Sequence, residues 1–219
     1  MKITAMDYDI QIDLKMNKIN VIVIESPILF RKFLLDLEEL WEGKTCGIVV
    51  SEDDKIVKLK EYMDILNSPL YIDINVKKVI NKLYSNLKEK AYDEEHYEKT
   101  MRLQSEIMKY LYELEEDSEY ILSINDMDVL GIFKGFGVEI EESEELIEKL
   151  DVYIKTISRL LKSKLLVVVN FSSYFSQDEI NMLQKTAMYE EIILLFIESC
   201  DKINSKNKII IDKDQCRIL

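Results

Sequence analysis

KSKLLVVVNFSSYFS, residues 162–176, is the stretch whose reading decides the fold. A basic lead-in feeds a run of β-formers, Leu165 to Val169, that ends on the polar Asn170. A short loop follows. Ser176 and Glu179 then form the S-x-x-E capping box that opens a helix, predicted to run to about Tyr189. Beyond it EIILLFIES (191–199) reads as a second strand, and NKIIIDKDQCRIL (207–219) as one or two more. Strand, helix and strand in alternation are the signature of an α/β sheet.

The amino-terminal part has the same texture. Residues 2–14 alternate apolar and polar side chains and predict one half-buried strand. INVIVI (19–24) is a dense β-branched run, as expected of a strand covered on both faces. Ser26 and Pro27 suit the N-cap and first position of a helix. That helix carries Ile28, Leu29, Phe33, Leu34, Leu37, Leu40 and Trp41, and Gly43 stops it. TCGIVVS (45–51) and PLYIDIN (69–75) are further strand candidates.

Between these ends the period changes. Val76, Ile80, Leu83 and Leu87 form one helical stripe, and Leu103, Ile107, Leu111 and Leu114 a second. They predict a protruding antiparallel helix pair joined near KAYDEE (90–95). EYILSI (119–124) and VEIE (138–141) read as short strands. NDMDVLGIFKGFG (125–137) reads as a short helix capped by Asn125, with Asp126 and Asp128 in its first turn, and residues 143–162 as a third long helix. The expected organisation is an α/β head from 1–75 and 164–219, with a mainly helical leg, 76–163, inserted.

Composition bounds the chemistry. The chain has 219 residues, 47% of them apolar and 32% charged, a globular balance. No apolar run approaches the roughly 20 residues that span a bilayer. The N-terminus has no signal-peptide core, which predicts a cytoplasmic protein. Cys46, Cys200 and Cys216 are odd in number and widely spaced, against both a disulfide framework and a zinc site. The single histidine, His96, sits in a charged helical stretch and reads as a surface residue. The net charge of −13 argues against nucleic acid on average, though binding follows the distribution of charge.

A phosphate-binding loop would follow INVIVI if this were a P-loop nucleotide hydrolase. That loop needs G-x-x-x-x-G-K-[ST], so that backbone amides wrap the phosphates. The chain offers ESPILFRKF (25–33) instead, with Glu25 where phosphate oxygens would go. Asn170 stands where a magnesium-holding aspartate would end the second strand. The strands are read as core and the chain as no enzyme.

Three charged groups remain. Lys155, Arg159 and Lys162 share one face late in the 143–162 helix, after Glu144, Glu145, Glu148 and Asp151. Acids first and bases last complement the helix dipole, which explains the order without function. The same three bases also make a usable phosphate-facing stripe. Lys55, Lys58 and Lys60 are a second basic group, or an ordinary solvated face. Glu113, Glu115, Glu116, Asp117, Glu119, Asp126 and Asp128 concentrate hard oxygen ligands that could hold calcium, without an EF-hand loop. Their plain reading is a solvated helix end.

NVIVIESPILFRKFLLDL (20–37), the segment GFGVEIEESEELIEKLDVYIKTISRLLKSKLLVVVNFSSYFSQDEINML (135–183) and EEIILLFIES (190–199), together with their order, resemble the small CRISPR-associated adaptation proteins of type II-A systems, the Csn-two family. The resemblance covers nearly the whole chain. It implies an α/β head distantly like a P-loop nucleotide hydrolase but without the nucleotide site, and an inserted helical leg. It implies a homotetrameric ring, supported by calcium, that threads double-stranded DNA by a free end. The work would be spacer acquisition, beside the integrase pair and the RNA-guided nuclease of the same system, with no membrane involved. DNA would meet Lys55, Lys58, Lys60, Lys155, Arg159 and Lys162, and calcium would meet Glu116, Asp117, Glu119, Asp126 and Asp128. Ser123, Asn125 and Gly131 stand where such proteins usually carry acids. A ring would reconcile an acidic exterior with DNA, because symmetry multiplies a few inward lysines. The competing expectations are a protein–protein adaptor and, further off, a nucleotide-handling enzyme.

Overall fold

The computed structural model describes residues 1–53, 55–56 and 62–218. The chain forms two compact units: Met1–Ile74 with Glu142–Leu219, and Asn75–Glu141 inserted in sequence between them.

The first unit is mixed α/β, built on two sheets. One has six strands in the order β10-β9-β3-β8-β7-β6. In chain order these are β3 (Asn20–Ile24), β6 (Met63–Leu66), β7 (Leu165–Val169), β8 (Ile193–Glu198), β9 (Asn207–Ile211) and β10 (Arg217–Ile218). All neighbours are parallel except β10 on β9. β3, β7 and β8 are buried at every residue, which is why they read as apolar runs, polar only at Asn20 and Glu198 on their ends. The second sheet is antiparallel, in the order β2-β1-β4-β5, from β1 (Lys2–Ala5), β2 (Ile10–Asp13), β4 (Ile48–Glu52) and β5 (Lys55–Ile56).

Strand alternation sorts the core into two layers. Ile22, Ile24, Leu165, Val167, Leu195 and Ile197 face a cluster with Ile3, Ile10, Ile48 and the buried side of helix α1 (Pro27–Glu42), Phe33 and Leu37. Tyr8 meets Phe33 edge to face at 5.1 Å. The alternate residues belong to the opposite face, where α5 (Leu146–Thr156) buries Leu150, Tyr153 and Ile154 and α6 (Gln177–Tyr189) buries Ile180, Leu183 and Ala187. The capping box of α6 is present in full: Ser176 and Glu179 each bond the other's backbone N–H. Replacing Ser176 by alanine is expected to cost about 1 kcal/mol, read as a lower urea midpoint at unchanged slope.

Several boundaries differ from the sequence reading. Residues 2–14 form a hairpin rather than one strand, because a turn at Met6–Tyr8 ends on Asp9 in the left-handed region, φ 51°. The strand expected over 69–75 lies earlier, as β6; Pro69, which has no N–H for a ladder, opens a 3₁₀ turn instead. The third long helix is α5 followed by a π-turn over Ile157–Leu161. It is grouped with the first unit, so that the boundary expected at 163 falls at 141. Its apolar stripe is too wide for a solvated helix and is buried against the core.

The second unit holds α2 (Lys77–Ala91), α3 (Tyr97–Glu116) and α4 (Val129–Gly135). Asn75 exchanges two hydrogen bonds of 2.9 Å with the backbone of Ile140, tying the unit's first and last turns together. Tyr84 of α2 packs its ring on Phe133 of α4. The Thr100 hydroxyl donates to the Ala91 carbonyl across the α2–α3 turn. α3 buries no residue, although Met101, Leu103, Tyr110, Tyr112 and Leu114 are large and apolar. Residues 119–124 and 138–141 are not strands. Asp128, not Asn125, caps α4, accepting the Leu130 N–H at 3.2 Å.

Candidate nucleic-acid interface

Ligands in open α/β sheets bind outside the carboxyl ends of the strands. Here those ends are occupied by the chain itself. Only Glu25 and Ser26 lie between β3 and α1, and the Glu25 N–H donates to the Ile211 carbonyl at 2.9 Å. Ser26 holds the N-cap position with its backbone, since its side chain makes no cap bond. Asn170 sits in the left-handed region, φ 54°, which asparagine tolerates better than most residues. Its Oδ1 accepts the Ser199 N–H at 2.9 Å, joining the loop after β7 to the one after β8. Asn170 is therefore a loop staple through its Oδ1.

Glu198, at the end of β8, is 1% exposed. Its carboxylate accepts the Ser172 N–H at 3.2 Å and the Ser172 hydroxyl at 2.5 Å. Burial pushes its carboxyl above the ordinary glutamate value, and the Ser172 bonds offset only part of that. An acid with a raised pKa binds its proton more tightly folded than unfolded. Its ionisation then opposes folding, with no penalty below the unfolded pKa and a full one above the folded pKa. Glu198→Gln is therefore expected to gain stability over the native chain as pH rises through that window. Urea unfolding of both proteins across the acid-to-neutral range checks this; parallel profiles would refute it.

The opposite edge of the sheet carries charge. An open cleft of about 470 Å³ is lined by the bases Arg159, Lys162 and Lys164 and by the acids Glu52, Glu190 and Glu191. The π-turn splays the end of the helix, and Lys162 ends it in the left-handed region, φ 59°. Arg159 grips Glu190 through two nitrogens; the Glu190 side chain is 5% exposed and the Arg159 side chain 61%. Lys164 reaches Glu52 at 3.5 Å and lies 5.6 Å from the centre of the Tyr62 ring. Lys162 makes no ion pair among the described residues.

The expected basic stripe is thus split. Arg159 and Lys162 meet in the cleft. Lys155 does not line it: its ammonium bonds Asp151 at 2.5 Å, and Asp151 also accepts the Thr186 hydroxyl at 2.6 Å, linking α5 to α6. Lys55 is exposed on β5, in register with Glu52 of the cleft. Lys58 and Lys60 lie outside the described residues. Lys164 and the balancing glutamates were missed as cleft residues. Lys164 adjoined the predicted stripe in sequence, but Glu52 and Glu190 come from distant elements and left no signal.

The acidic residues expected to hold calcium do not form a cluster. Glu116 ends α3, Asp117 and Glu119 follow it, and Asp126 precedes α4. Asp128 is held below the usual carboxylate range by the Leu130 N–H and then by Lys88, whose Nζ is 3.2 Å away. No three His, Cys, Asp or Glu among the described residues come together as a metal site. The described residues of a single chain do not gather to fit the ion.

The fold and site define an α/β protein whose strand ends are closed by its own loops, interrupted by a helical insert and bearing a mixed-charge cleft at the other edge. A family model described as CRISPR-associated protein (Cas_Csn2) matches residues 41–215. The CRISPR-associated protein Csn2 of Streptococcus agalactiae is 29% identical over 151 residues, 64% of this chain and 67% of that protein. The crystal structure of Stu0660 of Streptococcus thermophilus is similar in fold, with a TM-score of 0.58 at 15% identity, covering 97% of this chain and 74% of that one. The chain belongs to the Csn2 family of CRISPR-associated proteins of type II-A systems. No helix among the described residues is long and apolar enough to cross a membrane.

Proposed function

We propose that this protein binds the ends of double-stranded DNA as a homotetrameric ring, has no chemistry of its own, and serves spacer acquisition in the cytoplasm. Its partners would be the integrase pair and the RNA-guided nuclease of its system. Family membership supports a role in CRISPR adaptation. The observation that carries the assembly is α3: twenty residues with an apolar stripe and none buried. Such a stripe is covered at low cost by another copy of the chain, and closed symmetry is the usual result. The closed crevice at the strand ends supports a nucleotide-hydrolase-like head turned to another use. Arg159, Lys162 and Lys164, repeated around a ring, would supply the phosphate-facing charge.

A gel-shift series with linear and closed-circular duplexes, at low and high salt, tests this reading. Binding to linear DNA alone, weakened by salt, is expected. Equal binding to both topologies would mean side-on contact and end the ring. A chelator arm is needed because one chain gathers no three carboxylates among the described residues. Loss of binding on chelation would put calcium between subunits, and no effect would remove calcium from the reading. The balance of three bases by three acids in the cleft favours a second reading, an adaptor without DNA affinity of its own. Absence of any shift selects it.

A further inference from the structure

A second cleft of the first unit differs in its charge. It opens beside the start of β3, under α6 and the loop before β9, with a volume of about 530 Å³, within the range of small-molecule sites. Lys18, Lys185 and Lys206 line it, and no carboxylate does, in a chain with 42 acidic residues. None of the three lysines makes an ion pair among the described residues. The side-chain amides of Asn17 and Asn204 make no hydrogen bond among those residues either. Asn181 uses its Oδ1 on Gln177, at 3.2 Å, and keeps its two N–H donors.

The lining is held rigidly. Asn20, fully buried, bonds both the N–H and the carbonyl of Lys15 and the carbonyl of Lys18, fixing the turn that presents Lys18. The Ser205 hydroxyl donates to the Ile19 carbonyl, fixing the facing loop. Gln184, 8% exposed, donates to the Met16 carbonyl at 2.7 Å.

We infer that this cleft binds the terminal phosphate of a nucleotide or a strand. The three ammonium groups and the free amide N–H groups take the phosphate oxygens. The concavity suits one phosphate and its sugar, not the side of a duplex. The source is either a free nucleotide or the phosphorylated terminus of a strand. The site lies at the amino edge of the sheet, away from the crevice a nucleotide hydrolase would use.

Titration calorimetry of the full chain tests this. The probes are a nucleoside 5′-monophosphate, inorganic phosphate, and a short single strand with and without its 5′-phosphate. The nucleotide is expected to bind, and K185A/K206A to weaken it about tenfold with unchanged far-ultraviolet dichroism. Strand binding that depends on the terminal phosphate and falls in the same variant identifies a strand end as the source; nucleotide binding alone identifies a free nucleotide. No binding of any phosphate at millimolar concentration, or affinities unchanged in K185A/K206A, overturns the site.

Discussion

A chain carrying Lys162→Glu and Lys164→Glu is expected to lose affinity for linear duplex DNA by about a hundredfold or more at low salt. Both lysines line the mixed cleft. Lys162 has no carboxylate partner among the described residues, and Lys164 has only a 3.5 Å contact with Glu52, with both side chains at least two-fifths exposed. Their charges are available to phosphate at little conformational cost. Arg159 is left in place for a reason. Its removal would leave the buried Glu190 carboxylate unpaired, and a fall in binding would then report misfolding. The double reversal changes four charges per subunit, and the proposed ring would repeat that change around its hole. The slope of log affinity against log salt should also flatten, by about 0.9 for each phosphate that is no longer neutralised. Size-exclusion elution should not move. Unchanged affinity and slope would remove these lysines from the interface.

The second large effect is on stability. Asn20→Leu is expected to destabilise the first unit by about 4 kcal/mol or more, a large part of the ~5–15 kcal/mol that holds a domain together. The Asn20 side chain is fully buried and lies within hydrogen-bonding distance of five polar atoms. Oδ1 accepts from the Lys15 N–H at 2.8 Å and from Asn207 at 2.6 Å. The two hydrogens of Nδ2 are shared among three carbonyls, Leu194 at 2.7 Å, Lys15 at 3.0 Å and Lys18 at 3.1 Å. A leucine of similar size takes the amide away from the Lys15 N–H and the Lys18 and Leu194 carbonyls, while Asn207 keeps the Asp13 carbonyl and the Lys15 carbonyl keeps the Lys18 N–H; each stranded buried group costs about 1–3 kcal/mol. Thermal and urea unfolding would both show the loss. A cost under about 1 kcal/mol would mean that water replaces the amide and that Asn20 is no hub.

The two effects differ in how far they could be read in advance. Asn20 appears in sequence only as the polar flank of a strand; its four partner residues come from three chain segments as distant as residue 207. Lys162 was legible as a base on a helical stripe, but the π-turn and the strand behind it decided that it meets Arg159 and Lys164 rather than Lys155. The acidic segment was legible as charge. Whether carboxylates share a metal depends on distances that spacing along a chain does not set.

Local physics determined much of this protein from its sequence alone. Apolar runs dictated that β3, β7 and β8 lie inside a sheet, because only a strand covered on both faces tolerates them. Gly43 and the Ser176–Glu179 pair dictated where α1 ends and α6 begins, because both act within one helical turn. The ESPILF turn left no glycine loop for a phosphate. Only tertiary structure decided that α5 belongs with the sheet, that Asn170 staples two loops, and that Lys18, Lys185 and Lys206 share a cleft lined by no acid. Those outcomes depend on which distant segments the chain closure brings together, and a one-dimensional pattern carries the period of an element but not the identity of its neighbours.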